Sequence, residues 1–311
     1  MLIRCASIAA LVPLSGGTSL PDQDDTLTPD LLDRVLAKLG FSHRPAPTLQ
    51  GLQGLYGAWC LKVPFDNVRK LIALRQPSGG PLPGDDAADF FDSWLRYGSG
   101  GTCWAANGAL HALLAALGYA PMRGIATMLV SPHAPPNHGT VCVPLEGKRY
   151  LVDASILHGL PLELPASSSG EIEHAAWGVR AVLRQEQWSV SWRPLHVPTG
   201  VECRIEMLGT TAAAFHDMHE KTRVWSPFNY QLYARRNRSG GVIGTAFGKR
   251  VEFDAAGAMA ERALPAGERR RFLIEEIGID EALLSALPAD MPTPPPPWVR
   301  HGAADAGRIY P

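Results

Sequence analysis

Apolar residues recur at helical spacing through the first hundred or so positions and then switch to the shorter alternation of strands. Leu31, Leu32, Val35, Leu36 and Leu39 fall on one helical face. Thr28 suits an N-cap, Pro29 suits the first helical position and Gly40 closes the segment. A second helix is expected near Leu49 to Lys62. A third is expected over Asp85 to Tyr97, with Phe90, Phe91, Trp94 and Leu95 on one side. Gly98 to Gly101 breaks the pattern. A fourth helix begins near Thr102 or Cys103, carries Ala106, Leu110, Leu113, Leu114 and Leu117 as its apolar stripe, and stops at Gly118.

Beyond that point Met122 to Val130, Gly139 to Leu145 and Tyr150 to Ala154 read as strands, with Glu146-Gly147-Lys148 turning the last two into a hairpin. Residues 161–240 hold further short strands, among them Glu202 to Leu208, and a short helix is expected near Phe215 to His219. Val242 to Thr245 and Lys249 to Phe253 suggest another hairpin, and Glu268 to Ile277 a last helix ended by Gly278. Met291 to Trp298 holds five prolines and reads as a polyproline tail. Helices, then strands, then a mixed end indicate an α+β fold rather than alternating βαβ units.

Charge removes several function classes. The 311 residues carry a net charge of −1, which gives no electrostatic reason to expect nucleic acid or an anionic membrane as partner. No stretch approaches the roughly 20 apolar residues of a spanning helix. The five cysteines are scattered, without a C-x-x-C pair, so neither a zinc ribbon nor a secreted disulfide framework is indicated. A reducing cytoplasm is the expected location. Met1 to Val12 resembles a signal peptide only weakly.

Cys103 follows a glycine break and opens a helix, where unpaired N–H groups and the positive dipole end favour a thiolate and a developing oxyanion. Gly100 and Gly101 leave room for a substrate carbonyl. The same position also suits a buried cysteine that merely packs. A base must be near in space. His138 stands at the start of one hairpin strand and Asp153 at the end of the next, which brings both to one rim of the sheet. The carboxylate can then orient the imidazole while the imidazole takes the thiol proton. His133 and His158 flank this pair without sharing that placement, and His111 lies about two turns along the Cys103 helix. His216 and His219 form H-x-x-H, but lack a third ligand and read as a solvated helix face. No metal is expected.

These residues resemble the arylamine N-acetyltransferase family. Gly100-Gly101-Thr102-Cys103 and Asn107 match its R-G-G-x-C motif and the asparagine that follows, and Val63-Pro64-Phe65-Asp66-Asn67 is similar to I-P-F-E-N. His138 and the strand Tyr150-Leu151-Val152-Asp153 resemble its His and its strand ending in D-V-G-F-G. Ser226-Pro227-Phe228-Asn229 and Leu273 to Ile279 resemble two later segments. The resemblance implies a helical bundle over 28–120, a central antiparallel β-barrel over 121–210 and a C-terminal α/β lid over 211–288, between a flexible 1–27 and a Pro-rich 289–311. It implies Cys103, His138 and Asp153 as catalytic residues, with Phe65, Gly101, Thr102, Asn107, Ser155 and Phe228 binding substrate. It implies ping-pong transfer of an acyl group from a thioester, acetyl-coenzyme A or another, through Cys103 to a small amine, with no bound cofactor.

The departures fall on the donor side. Ser99 replaces the motif's arginine, Ala105 stands where the family has Glu, and Ala154-Ser155-Ile156-Leu157 replaces V-G-F-G. Side chains in place of glycine reshape the approach, which suggests a longer acyl group or an acyl carrier protein as donor. Macrolactam-forming amide synthases, a hydrolytic transglutaminase-like enzyme (Cys103-Trp104 resembles that family) and an inactive binding scaffold stay open as alternatives.

Overall fold

The computed structural model describes residues 26–76, 79–131 and 133–298. The expectations for the first residues, Cys5 included, and for the end of the tail lie outside these. Thr28 caps α1 (Pro29–Leu39) by accepting from the Leu31 amide at 3.3 Å, and Gly40 ends it with φ 96°. α2 (Leu49–Lys62) leads into a two-residue strand, β1 (Phe65–Asp66), and then α3 (Val68–Arg75). Neither β1 nor α3 shows in the sequence pattern. α4 (Ala87–Tyr97) starts two residues later than expected because Asp86 is its N-cap, accepting from Ala88 N at 2.7 Å. α5 (Cys103–Ala116) is buried along most of its length, as its nearly unbroken apolar sequence requires. Trp59, Phe90 and Phe91 fill the centre of this bundle, with Trp59 stacked on Phe90 at 5.9 Å.

The following strands are β2 (Met122–Met128), β3 (His138–Leu145), β4 (Lys148–Leu151), β5 (Leu162–Glu163), β6 (Ser169–Ile172), β7 (Val179–Arg184), β8 (Gln187–Trp192) and β9 (Val201–Leu208). They form one antiparallel sheet in the order β5-β4-β3-β2-β9-β8-β7-β6. Its two edges come round to meet. A Cβ on Gly170 of β6 would lie 2.1 Å from the Glu163 carbonyl of β5, so only glycine permits the approach. The result is a nearly closed barrel with Ala126, Cys142, Leu151, Val190 and Ile205 inside. The hairpin between β3 and β4 turns at Glu146 and Gly147, both at positive φ, as a two-residue turn of that hand requires.

After α6 (Ala212–Lys221) come a 3₁₀ turn at Pro227–Asn229 and the strands β10 (Tyr233–Arg238), β11 (Gly241–Ala246), β12 (Lys249–Phe253) and β13 (Met259–Ala263). The second sheet runs β1-β10-β11-β12-β13, with Phe65 paired to Arg235. The C-terminal strands are therefore completed by a strand from the helical half. α7 (Ala266–Phe272) runs into a π-helical turn at Leu273–Ile277, and α8 (Glu281–Leu284) follows. The proline segment is docked: Trp225 donates to the Pro294 carbonyl at 3.1 Å, and Met291 N donates to Tyr230 O at 2.9 Å. Among the described residues, no helix is long and apolar enough to cross a membrane.

Candidate active site

Cys103 is the first residue of α5, and Thr102 precedes it without a side-chain cap. The first-turn N–H groups are therefore left to whatever sits before the helix. Gly101 and Gly100 allow the approach that brings the chain there. A Cβ on Gly100 would come within 1.9 Å of the Pro64 carbonyl, and one on Gly101 would press on Ala105 and Phe90. Gly101 also bridges to Phe65, and its carbonyl accepts from Asp66 N at 3.3 Å. The glycine break is thus tied to β1.

His138 opens β3 and is 3% exposed. Its Nε2 lies 2.7 Å from Asp153 Oδ2. The ring's other nitrogen is the one left for Cys103, whose sulfur helps to hold the imidazole protonated. The Cys103 Sγ also lies 4.0 Å from the Asn137 carbonyl. Burial disfavours the imidazolium, but the Asp153 carboxylate and the Cys103 sulfur outweigh it and raise the His138 pKa to about 10. Burial likewise works against the Asp153 carboxylate, and His138 with the surrounding donors still holds it well below the usual carboxylate range.

Asp153 does not end the strand as expected. β4 stops at Leu151, and Asp153 stands two residues further in the turn that follows. That turn wraps the carboxylate: Oδ1 accepts from Ser155 N at 2.9 Å, Ser155 Oγ at 2.7 Å and Ile156 N at 2.9 Å. Ser155 therefore turns its hydroxyl inward onto Asp153 rather than toward an incoming substrate. Tyr56 of α2 donates to the Asp153 carbonyl at 2.8 Å. His158 accepts from Asp153 N at 3.4 Å through Nε2 and donates from Nδ1 to the Leu160 carbonyl at 2.7 Å. Burial lowers its pKa to about 4, so it is the neutral imidazole that those two bonds need.

Asn107 lies one turn along α5 from Cys103 and is completely buried. Its amide donates to the Cys103 carbonyl at 3.0 Å and the Gly139 carbonyl at 2.7 Å, and its oxygen accepts from Ala154 N at 2.9 Å. It joins the helix of Cys103, the strand of His138 and the turn of Asp153. These contacts make it a positioning residue. Phe65, Phe228 and Tyr233 form an aromatic cluster with centroids 5.3–5.5 Å apart. Asn67 supports it by donating to the Phe228 carbonyl at 2.9 Å and accepting from Tyr233 N at 2.9 Å.

The H-x-x-H pair is split: His216 is on the solvated face as expected, and His219 is not. His219 is 3% exposed, and both rings meet Asp85, His216 at 2.5 Å and His219 at 3.4 Å. Among the described residues no group of three or more His, Cys, Asp or Glu is placed to hold a metal. The four cysteines among the described residues, Cys60, Cys103, Cys142 and Cys203, are free thiols. Sequence reasoning missed Tyr56, which holds the Asp153 carbonyl, Asp66, which holds the glycine break, and the burial of Lys70 against Thr222. The motif segment 63–67 marks Asp66, while Tyr56 and Lys70 carry no local signal.

The N-acetyltransferase family pattern matches residues 48–193, which contain Cys103, His138 and Asp153. No curated protein sequence matches the chain. Solved structures of arylamine N-acetyltransferases share its fold. The Nocardia farcinica enzyme is 22% identical with a TM-score of 0.69, covering 82% of this chain and 92% of that one. The Mycobacterium abscessus enzyme is 18% identical at a TM-score of 0.69 with the same coverage. The Mycobacterium marinum enzyme, solved in complex with coenzyme A, is 19% identical at 0.68, covering 81% and 93%.

Proposed function

We propose, from the premise that this chain carries the N-acetyltransferase family pattern on the arylamine N-acetyltransferase fold, that it transfers an acyl group from a coenzyme A thioester to an amine through Cys103. The observation that carries the reading is the buried Cys103–His138–Asp153 chain at the open end of α5. His138 removes the thiol proton, and Asp153 fixes the ring so that the nitrogen facing sulfur is the basic one. The sulfur attacks the thioester carbonyl, and the free first-turn N–H groups of α5 face the oxyanion. Coenzyme A leaves as the thiol, taking the proton from His138. The amine then attacks the Cys103 thioester, and His138 accepts its proton as the thiolate departs. Exchange of one thioester for another conserves the donor's reactivity, which suits a ping-pong sequence.

Sequestration supports the same reading. Cys103 is 7% exposed and His138 3%, so water has little access to an acyl intermediate. The likeness to a relative solved with coenzyme A supports that donor class. The test is intact-mass measurement after mixing with acetyl-coenzyme A. The expected result is a gain of one acetyl group, absent in Cys103→Ala and discharged by an arylamine as its amide. Amide formed at the wild-type rate by Cys103→Ala would overturn the covalent route.

A further inference from the structure

Every polar group of Asp153 has a partner, and the partners fall into two sets. The carboxylate is satisfied by its neighbours: Oδ2 meets His138 at 2.7 Å, and Oδ1 takes the three donors of Ser155 and Ile156. The Oδ1 bonds fix the carboxylate relative to its own turn. The direction in which the turn itself points is set through the backbone. Tyr56 of α2 donates to the Asp153 carbonyl at 2.8 Å, beside the Leu157 amide at 3.1 Å. On the other side the Asp153 amide donates to His158 Nε2 at 3.4 Å. The two holders are joined to each other, since His158 N donates to the Tyr56 hydroxyl at 3.3 Å and the rings pack at 4.9 Å. Tyr56, Asp153 and His158 are all buried.

We propose that Tyr56 and His158 are positioning residues, which aim the Asp153 carboxylate at His138 by gripping the carbonyl and the amide of Asp153 itself. The proposal deepens the acyl-transfer reading and rests on it, since that reading makes His138 the base. A shift of about an ångström in the turn is enough to misalign the imidazole with the sulfur. α2 suits the task because it serves both ends of the site. It runs into Val63, Pro64 and Phe65, against which Gly100 and Gly101 pack ahead of Cys103.

The grip has a chemical condition. Nε2 accepts only when it carries no proton, and Nδ1 donates to the Leu160 carbonyl at 2.7 Å, so the working ring is the neutral tautomer with its proton on Nδ1. Burial, seconded by Arg235 of β10, outweighs the Asp153 carboxylate and the Leu160 carbonyl and lowers the ring's pKa to about 4. The other titratable groups packed here, Tyr56 and Cys60 of α2, are neutral, and burial raises both. A protonated ring would set one N–H against another and release the Asp153 amide. Acid therefore loosens the site through His158 while Asp153 stays ionised.

The experiment measures acyl-enzyme formation from acetyl-coenzyme A by intact mass, together with the imidazole signals of isotope-labelled histidine by NMR. Tyr56→Phe and His158→Leu are expected to slow loading by about tenfold or more with KM changed by less than about twofold, because they move the base rather than the thioester. Both are expected to let His138 lose its proton at lower pH than in wild type. His158→Gln, whose side-chain oxygen accepts and does not titrate, is expected to restore part of the rate. Its rate relative to wild type is expected to rise about twofold between neutral pH and pH 4, where half of the wild-type His158 rings are charged. The tautomer is read in the wild-type protein and needs no variant to fold: His158 is expected to carry its proton on Nδ1. A proton on Nε2 overturns the proposal, and so do a loading rate and a His138 titration left unchanged in Tyr56→Phe. Failure of acetyl-coenzyme A to load wild-type Cys103 overturns the acyl-transfer reading instead, and the tautomer and the His138 titration still decide the grip on Asp153.

Discussion

Ser99 donates its hydroxyl to Asp66 Oδ1 across 2.9 Å, and both residues are buried. The two belong to segments that the sequence marks separately, one before the glycine pair and one in Val63-Pro64-Phe65-Asp66-Asn67. Asp66 also accepts from Gly100 N at 2.7 Å and Val68 N at 3.0 Å. The chain's departure from the arginine of the family motif is therefore met inside the protein by a short acid and a hydroxyl. Burial raises the Asp66 pKa, with Ser99 and the two amides working against that rise. Ser99→Ala removes one of three donors to a buried carboxyl. It is expected to lower stability by about 1–3 kcal/mol, read as a shift of the urea midpoint with an unchanged slope. A midpoint equal to wild type would show that the hydroxyl does not hold the glycine break.

Asn107 is expected to matter for geometry more than for binding. Asn107→Ala leaves the Gly139 carbonyl and Ala154 N without partners in the interior. Two unsatisfied groups at about 1–3 kcal/mol each predict a large loss of stability. The acyl-loading rate is expected to fall by about tenfold or more, because a small displacement of the aspartate turn misaligns His138. KM for the thioester is expected to change little. A rise in KM with kcat intact would reassign Asn107 to substrate contact.

The His138–Asp153 pair sets a pH window for stability. Asp153 ionises more easily in the fold, so its contribution is present above the ordinary carboxylate value, about 3.9, and is lost as pH falls toward its lowered pKa. His138 is raised to about 10. Its contribution is complete below the unfolded value, about 6.5, and is lost as pH rises through the folded one. The two signs leave a maximum between about pH 4 and pH 6.5. The melting-temperature difference between wild type and Asp153→Asn is expected to be largest there and to shrink steadily toward pH 10. A difference that grows with pH above 6.5 would contradict the pairing.

Much of the site was legible because its signals are local. Gly100-Gly101 followed by an apolar run predicts a helix opening at Cys103, and the Glu146-Gly147 turn fixes a hairpin that places His138 near residue 153. The sequence misplaced Asp153 within that hairpin, since Tyr150 to Ala154 alternates like a strand. The side-chain bonds that pull Asp153 into a turn come from Ser155, His158 and Tyr56, the last from 97 residues away. β1 and α3 were not legible for the same reason. A two-residue strand has no period, and β1 forms only because β10 arrives from residue 233 onward. Lys70 looks like an ordinary surface lysine until α6 covers it.

Leu157 offers the last test. It stands where the family motif has its second glycine, and its φ is 58°, a left-handed conformation that costs a leucine about 1–2 kcal/mol. The side chain is wholly buried in the main core and the carbonyl accepts from Asn237 Nδ2 at 2.6 Å. Burial of the side chain is what compensates the strain. Leu157→Ala loses the burial and keeps the strain, so it is expected to cost about 2–5 kcal/mol. Leu157→Gly loses the same side chain but relieves the backbone. It is expected to be more stable than Leu157→Ala by about 1 kcal/mol, the reverse of the usual order at a negative φ. Thermal melts of the two variants decide it. An alanine variant that melts higher than the glycine variant would mean that residue 157 does not hold the left-handed turn behind Asp153.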